Sequence, residues 1–201
     1  MPTQQIEMVF DFASPNCYLA FKALPPLLQR SGAELKLLPC LLGGIFKATN
    51  NQAPMLAFAN VKGKLAYDGL EMERFVAAHG LTKFKMNPHF PINTLALMRG
   101  ACAADADDYL MEYVEKMLAA MWEEGQNFNE LPVVQEAWQR AGFDAERLSE
   151  QIQDPDIKQK LAEQTGAAVA RGAFGAPTFF IGDDMFFGKE RLAQIEALLS
   201  G

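Results

Sequence analysis

Gly172-Ala173-Phe174-Gly175-Ala176-Pro177-Thr178-Phe179-Phe180-Ile181-Gly182-Asp183-Asp184-Met185-Phe186-Phe187-Gly188 is the stretch that decides the fold of this chain. Pro177 to Ile181 is a short run of strand formers opened by a proline. Gly182-Asp183-Asp184 is turn chemistry, and Met185 to Phe187 reads as the returning strand of a hairpin. Lys189 to Leu199 then has the pattern of a final helix. This β-β-α unit follows a long helical stretch. From about Met55 to Arg171 the apolar residues recur at helical spacing, with no good strand. Helices are expected near 64–79, 93–104, 106–124, 132–140 and 154–171, with Gly80 and Gly142 at C-terminal cap positions.

The N-terminal end has the complementary unit. Ile6-Glu7-Met8-Val9-Phe10-Asp11-Phe12 is largely apolar, like a buried strand. Ser14 suits an N-cap and Pro15 the first helical position. A helix begins over Tyr18 to Leu24, and Pro25-Pro26 kinks or breaks it. Gly32 stops the segment, and Glu34 to Cys40 alternates into a second strand. This is β-α-β with a helix-length crossover, so the two strands are parallel. Put into one sheet, the β-α-β and β-β-α halves make an α/β, thioredoxin-like domain with a large all-helical insertion between them. The expected division is 1–54 and 172–201 for the thioredoxin-like part and 55–171 for the insertion.

Composition bounds the function. The chain has 201 residues, 50% hydrophobic and 21% charged, which suits a packed globular core. A formal net charge of -7 argues against binding duplex nucleic acid. Three scattered cysteines are too few for a disulfide framework. No apolar run has membrane-span length, and the N-terminus lacks a basic and then apolar leader. A reducing, cytoplasmic setting is expected, with no membrane partner. His79 and His89 form no metal-ligand pattern with other residues, so no metal is expected.

Two places carry candidate chemistry. Ser14 stands just after the first strand, at the head of the first helix. Free backbone N–H groups and the helix dipole favour an anion there. Ser14 and Cys17 occupy the first and last places of a C-x-x-C-like spacing. A serine hydroxyl cannot cycle through a disulfide, but it can donate a hydrogen bond to another molecule's thiolate. By residue chemistry alone Ser14 is equally well explained as an N-cap. The second place is Ala176-Pro177, which suits a cis peptide whose residue 176 N–H and C=O point outward to pair with a peptide-like ligand. Cys17, Cys40 and Cys102 read as core. Phe84, Phe90, Met121, Trp122 and Phe128 would suit an aromatic pocket, with core packing the simpler use for each.

Three groups of residues together resemble one family. They are Asp11-Phe12-x-Ser14-Pro15-x-x-Tyr18-Leu19, Gly172-x-Phe174-Gly175-x-Pro177-Thr178 and Phe187-Gly188-x-Glu190-Arg191-Leu192. The family is that of the 2-hydroxychromene-2-carboxylate isomerases and kappa-class glutathione transferases, within the DsbA-like group. Phe90-Pro91-x-Asn93-Thr94 extends the likeness into the insertion. The resemblance implies a homodimer that binds glutathione and acts on a small aromatic or electrophilic molecule. It implies that Ser14 favours the glutathione thiolate, and that Ala176, before Pro177, pairs with the cysteinyl part. Asn51 matches a glutathione-binding asparagine in a loop rich in Gly and Asn. Lys62 and Lys64 compete as the ligand of the glycyl carboxylate. Glu190 falls on the acid for the γ-glutamyl amine, with Lys189 beside it where the family has Ser or Asn. By residue chemistry Glu190 also suits a first-turn acid of the last helix, and Asn51 a turn residue. Asn16-Cys17 replaces a more usual aromatic and serine pair.

Three functions follow from this resemblance. The leading one is a glutathione-dependent isomerase, favoured by the Pro88 to Asn93 loop. The alternatives are a kappa-like transferase and a thiol-disulfide oxidoreductase using Cys17.

Overall fold

The computed structural model describes residues 4–200. Its four-stranded sheet runs, edge to edge, through residues Glu34–Pro39, Gln5–Phe10, Thr178–Ile181 and Asp184–Phe187. The strands are β1 (Gln5–Phe10), β2 (Glu34–Pro39), β3 (Thr178–Ile181) and β4 (Asp184–Phe187). β1 and β2 are parallel, with Met8 opposite Leu37. β3 is antiparallel to both β1 and β4, with Phe179 opposite Met8 and Phe186. The sheet joins the two halves as the sequence order requires.

β1 is central, and the period of two along it divides the core. Ile6, Met8 and Phe10 face one side, packed with Phe179 in the larger apolar cluster. Val9 and Phe180 face the other side, packed with Ile45, Ala168 and Ala173. Arg171 closes that second face. Its guanidinium lies 3.7 Å from the centre of the Phe180 ring and pairs with Glu7 at 2.6 Å.

The crossover is two helices, α1 (Pro15–Ala23) and α2 (Pro25–Ser31), because Pro25 and Pro26 start a new helix instead of kinking the first. One expectation fails just after β2. The Gly- and Asn-rich stretch is mainly a helix, α3 (Leu42–Thr49), ended by Asn50 at φ 53°. Gly44 belongs there for packing: a Cβ on it would lie 3.1 Å from Thr165. That closeness lets α3 lie on α10 (Pro155–Ala170), with Ile45 fully buried.

The remaining helices are α4 (Pro54–Ala57), α5 (Lys64–His79), α6 (Leu95–Ala106), α7 (Leu110–Trp122), α8 (Leu131–Arg140) and α9 (Ala145–Gln151). α9 lies outside the helices expected from periodicity, because its single large apolar residue, Leu148, is too little for a helical stripe. The final segment also differs from expectation. Lys189–Arg191 is a 3-10 turn, and α11 (Leu192–Ser200) follows it. The insertion shares the larger core of the sheet: Leu97, Met98, Met117 and Trp122 lie in the same apolar cluster as Met8 and Phe12. Among the described residues, no helix is long and apolar enough to cross a membrane.

Candidate functional site

The site begins with α1. Ser14 is its N-cap, extended at φ -95° and ψ 113°, with Pro15 at the first helical position. Its Oγ accepts the Cys17 N–H at 3.2 Å and donates to the Ala176 carbonyl at 3.0 Å. Ser14 is 5% exposed. Two backbone donors beside it, the N–H groups of Asn16 and Ala176, have no partner among the described residues. The first is one of the orphan donors of a helix N-terminus.

Ala176-Pro177 is a cis peptide, as expected. The Ala176 carbonyl, expected to be free, instead receives the Ser14 hydroxyl. Serine and the proline loop are therefore in direct contact, across 162 residues of sequence. Gly188 N–H donates to the Pro177 carbonyl at 3.0 Å, so the turn that carries Lys189 and Glu190 hangs from the same proline. That turn packs on α1. Gly175 permits the loop to close, since a Cβ there would be 2.9 Å from the Phe187 ring.

Asn51 joins this group through its amide, which donates to the Phe174 carbonyl at 2.8 Å. Its oxygen accepts the Gln52 N–H. The side chain is thus a brace for the proline loop. Lys62 and Lys64 form no bond to the other site residues. Lys64 pairs with Asp68 one turn on, and its ammonium lies 5.0 Å from the Phe58 ring centre. Lys62 is exposed and has no charged partner among the described residues. Lys62 is therefore the lysine with a free ammonium.

Glu190 does not present an uncommitted carboxylate. Its Oε1 is paired with Lys189, which is 4% exposed. Glu190 is at the same time a first-turn acid, of a 3-10 turn that runs directly into α11. Gly188, at φ 94°, tightens the chain into the 3-10 turn and brings Glu190 Oε2 over the Gly188 α-carbon.

The residue that sequence reasoning left without a role is Asp11. It is 1% exposed. Its Oδ1 accepts from Ala13 N–H at 2.9 Å and from the Thr94 hydroxyl at 2.5 Å. Its Oδ2 accepts from Leu42 N–H at 2.7 Å. One carboxyl thus holds the Ser14 loop, the entry to α3 and the residue that precedes the insertion helix α6. Burial pushes Asp11 above the usual carboxylate range, against the three bonds that favour its ionised form. A signal exists in the sequence, since Asp11 and Thr94 both lie in the motifs of the resemblance. Their pairing across 83 residues is not readable there.

The insertion also supports the loop through Trp122, whose Nε1 donates to the Phe12 carbonyl at 3.0 Å. Trp122, Met121 and Phe128 are core, at 2% exposure or less. Phe84 and Phe90 are half-buried against Trp122, with ring centres 6.1 Å from it. Cys17 is buried, and burial pushes its thiol up to about 12.

The β-α-β and β-β-α halves joined in one sheet, with a cis-proline loop against the head of α1, define a thioredoxin-like fold, and Ser14 stands at that helix head. The chain belongs to the DSBA-like thioredoxin domain family, whose model matches residues 5–200. It is 28% identical over 198 residues to the 2-hydroxychromene-2-carboxylate isomerase of Pseudomonas putida, covering 96% of this chain and 93% of the relative. It is 29% identical over 203 residues to glutathione S-transferase kappa 1 of Rattus norvegicus, covering 96% and 90%. The solved structure of a 2-hydroxychromene-2-carboxylate isomerase superposes with a TM-score of 0.82 at 27% identity, covering 98% of this chain and 94% of that one.

Proposed function

We propose that this chain is a glutathione-dependent isomerase of the 2-hydroxychromene-2-carboxylate type. The observation that carries the reading is the surroundings of Ser14: a hydroxyl capping α1, flanked by the unpartnered N–H groups of Asn16 and Ala176. This arrangement fits a thiol ligand. The Ala176 N–H would pair with a peptide group of glutathione. The Asn16 N–H and the positive end of α1 favour an anionic sulfur, and Lys62 is free for the glycyl carboxylate. Asn51 keeps the proline loop in place. Bound glutathione supplies a thiolate that adds reversibly to a conjugated carbon of an aromatic substrate.

The chain's task is then to keep that sulfur ionised. Ser14 does so by turning its hydroxyl from the Ala176 carbonyl to the sulfur. The exchange is favourable because a hydrogen bond to a charged acceptor contributes about 1.5–3 kcal/mol, against about 0.5–1.5 kcal/mol for a neutral one. No general base is required. Thr94 and Trp122 hold the loop against recoil through Asp11 and Phe12.

The kappa-like transferase reading uses the same residues and differs in consuming glutathione, and the rat relative favours it to a similar degree. An oxidoreductase using Cys17 is disfavoured by the burial of that thiol and its rise to about 12. The three free, buried cysteines suit a cytoplasmic setting. A homodimer belongs to the same reading. Exposed Leu56, Val61, Leu65 and Leu70 offer apolar surface for a second copy to cover.

Calorimetric titration with reduced glutathione tests the proposal, together with an assay of whether glutathione is recovered after an aromatic substrate is turned over. Binding with full recovery is expected. Absence of binding at high glutathione overturns the cofactor, and net consumption moves the assignment to the transferase.

A further inference from the structure

Lys189 is the only buried cation among the described residues, at 4% exposure. A buried ammonium requires a charged or strongly polar partner. Its partner is the adjacent Glu190, through Oε1, and its Nζ lies 5.2 Å from the centre of the Phe75 ring on α5. Glu71, the acid of α5 that senses Lys189, is itself paired with Arg74. Glu190 is the exposed half of the pair, with 53% of its side chain accessible. The turn carrying both residues packs on α1 and is bonded to Pro177, so the pair borders the Ser14 site.

This geometry changes what Glu190 can offer a ligand. Its charge is already balanced from inside the protein. A ligand ammonium arriving at Glu190 would come close to the ammonium of Lys189, and the repulsion offsets the attraction. Lys189 cannot withdraw cheaply, because leaving Glu190 would strand a buried charge. The contact with Phe75 holds the side chain in place.

We propose that Lys189 is a specificity-determining residue that neutralises Glu190, so that a thiol ligand gains nothing from a free ammonium at that end. The inference rests on the glutathione reading of the Ser14 site. Its consequence is a relaxed choice of thiol: a cysteinyl peptide whose distal end lacks the amine serves as well as one that carries it.

The test is calorimetric binding of two thiols to the full chain: reduced glutathione, and glutaryl-cysteinyl-glycine, which lacks only the amine. In the wild-type protein the two dissociation constants are expected within about threefold of each other. In Lys189→Met, which keeps the buried stem, glutathione should bind about tenfold or more tightly than the deaminated thiol, the effect of one charged hydrogen bond. Lys189→Leu repeats the comparison with a different shape, and the wild-type ratio is a test even if neither variant folds. A wild-type preference for glutathione of about tenfold or more, or a ratio unmoved in a folded Lys189 variant, overturns the inference and leaves glutathione binding standing. Failure of both thiols to bind wild-type and variant protein overturns the glutathione reading and the inference with it.

Discussion

Replacing Ser14 with alanine separates its two roles, as helix cap and as donor to sulfur. In the free protein its hydroxyl bonds the Ala176 carbonyl at 3.0 Å and accepts Cys17 N–H at 3.2 Å. Loss of an N-cap costs about 0.5–2 kcal/mol. For a chain of this length each kcal/mol lowers Tm by about 2–4 °C, so the variant should melt roughly 1–8 °C lower. The effect on a bound thiol is a difference between two hydrogen bonds. Ser14 gains a bond to a thiolate of about 1.5–3 kcal/mol and gives up one to a carbonyl of about 0.5–1.5 kcal/mol. The net is about 1–2 kcal/mol, or roughly 0.7–1.5 pKa units. The helix N-terminus adds about 0.3–1 kcal/mol, or roughly 0.2–0.7 units, and survives the substitution. From an ordinary thiol near about 8.5, the bound sulfur should ionise near about 7 in the wild type and near about 8 in the variant. Thiolate ultraviolet absorbance, followed against pH with glutathione saturating, measures both values. A bound thiol with the same pKa in the two proteins would refute the donor role and leave Ser14 as a cap alone.

Thr94→Val removes one of the three donors to the buried Asp11 carboxyl, so a loss of about 1.5–3 kcal/mol is expected, read as a fall in denaturation midpoint; an unchanged midpoint would mean that the Thr94 bond does not stabilise Asp11. Ser14→Cys places a sulfur beside Cys17, whose thiol already meets the Ser14 side chain, and air oxidation should form a disulfide between positions 14 and 17 detectable by thiol titration; persistence of all four free thiols would show the two side chains to be misaligned. Glu7 is drawn up by burial, but its bonds to Lys36 and Arg171 outweigh this and hold it below the usual carboxylate range. Its folded pKa is therefore the lower one, so its stabilisation is present at neutral pH and is lost as pH falls through that value. Glu7→Gln should flatten the acid limb of the stability curve by under about 1 kcal/mol, since the pairs are partly solvated, and an unaltered limb would remove Glu7 from the account.

Much of this protein is legible in the linear sequence. The strand at Ile6 to Phe10, the proline-opened helix after Ser14 and the hairpin around Gly182 are local decisions of backbone propensity and apolar spacing, and the sheet follows from their order. Long periodic helices such as α5 are equally readable, because their signal is carried by many residues. The motifs around Ser14, Pro177 and Glu190 point to the candidate site residues and the family. Tertiary packing decides the rest. α3 forms across Gly43 and Gly44 because Gly44 allows contact with Thr165, a gain that no local propensity contains. Ser14 commits its hydroxyl to Ala176, and Asp11 binds Thr94, over separations of 162 and 83 residues that leave no trace in a linear pattern. The most consequential case is Lys189. Sequence alone places it beside Glu190, but only the fold buries its ammonium against Phe75 and turns two adjacent charges into one closed pair. Burial fixes the partner of a charge, and burial is a property of the packed chain.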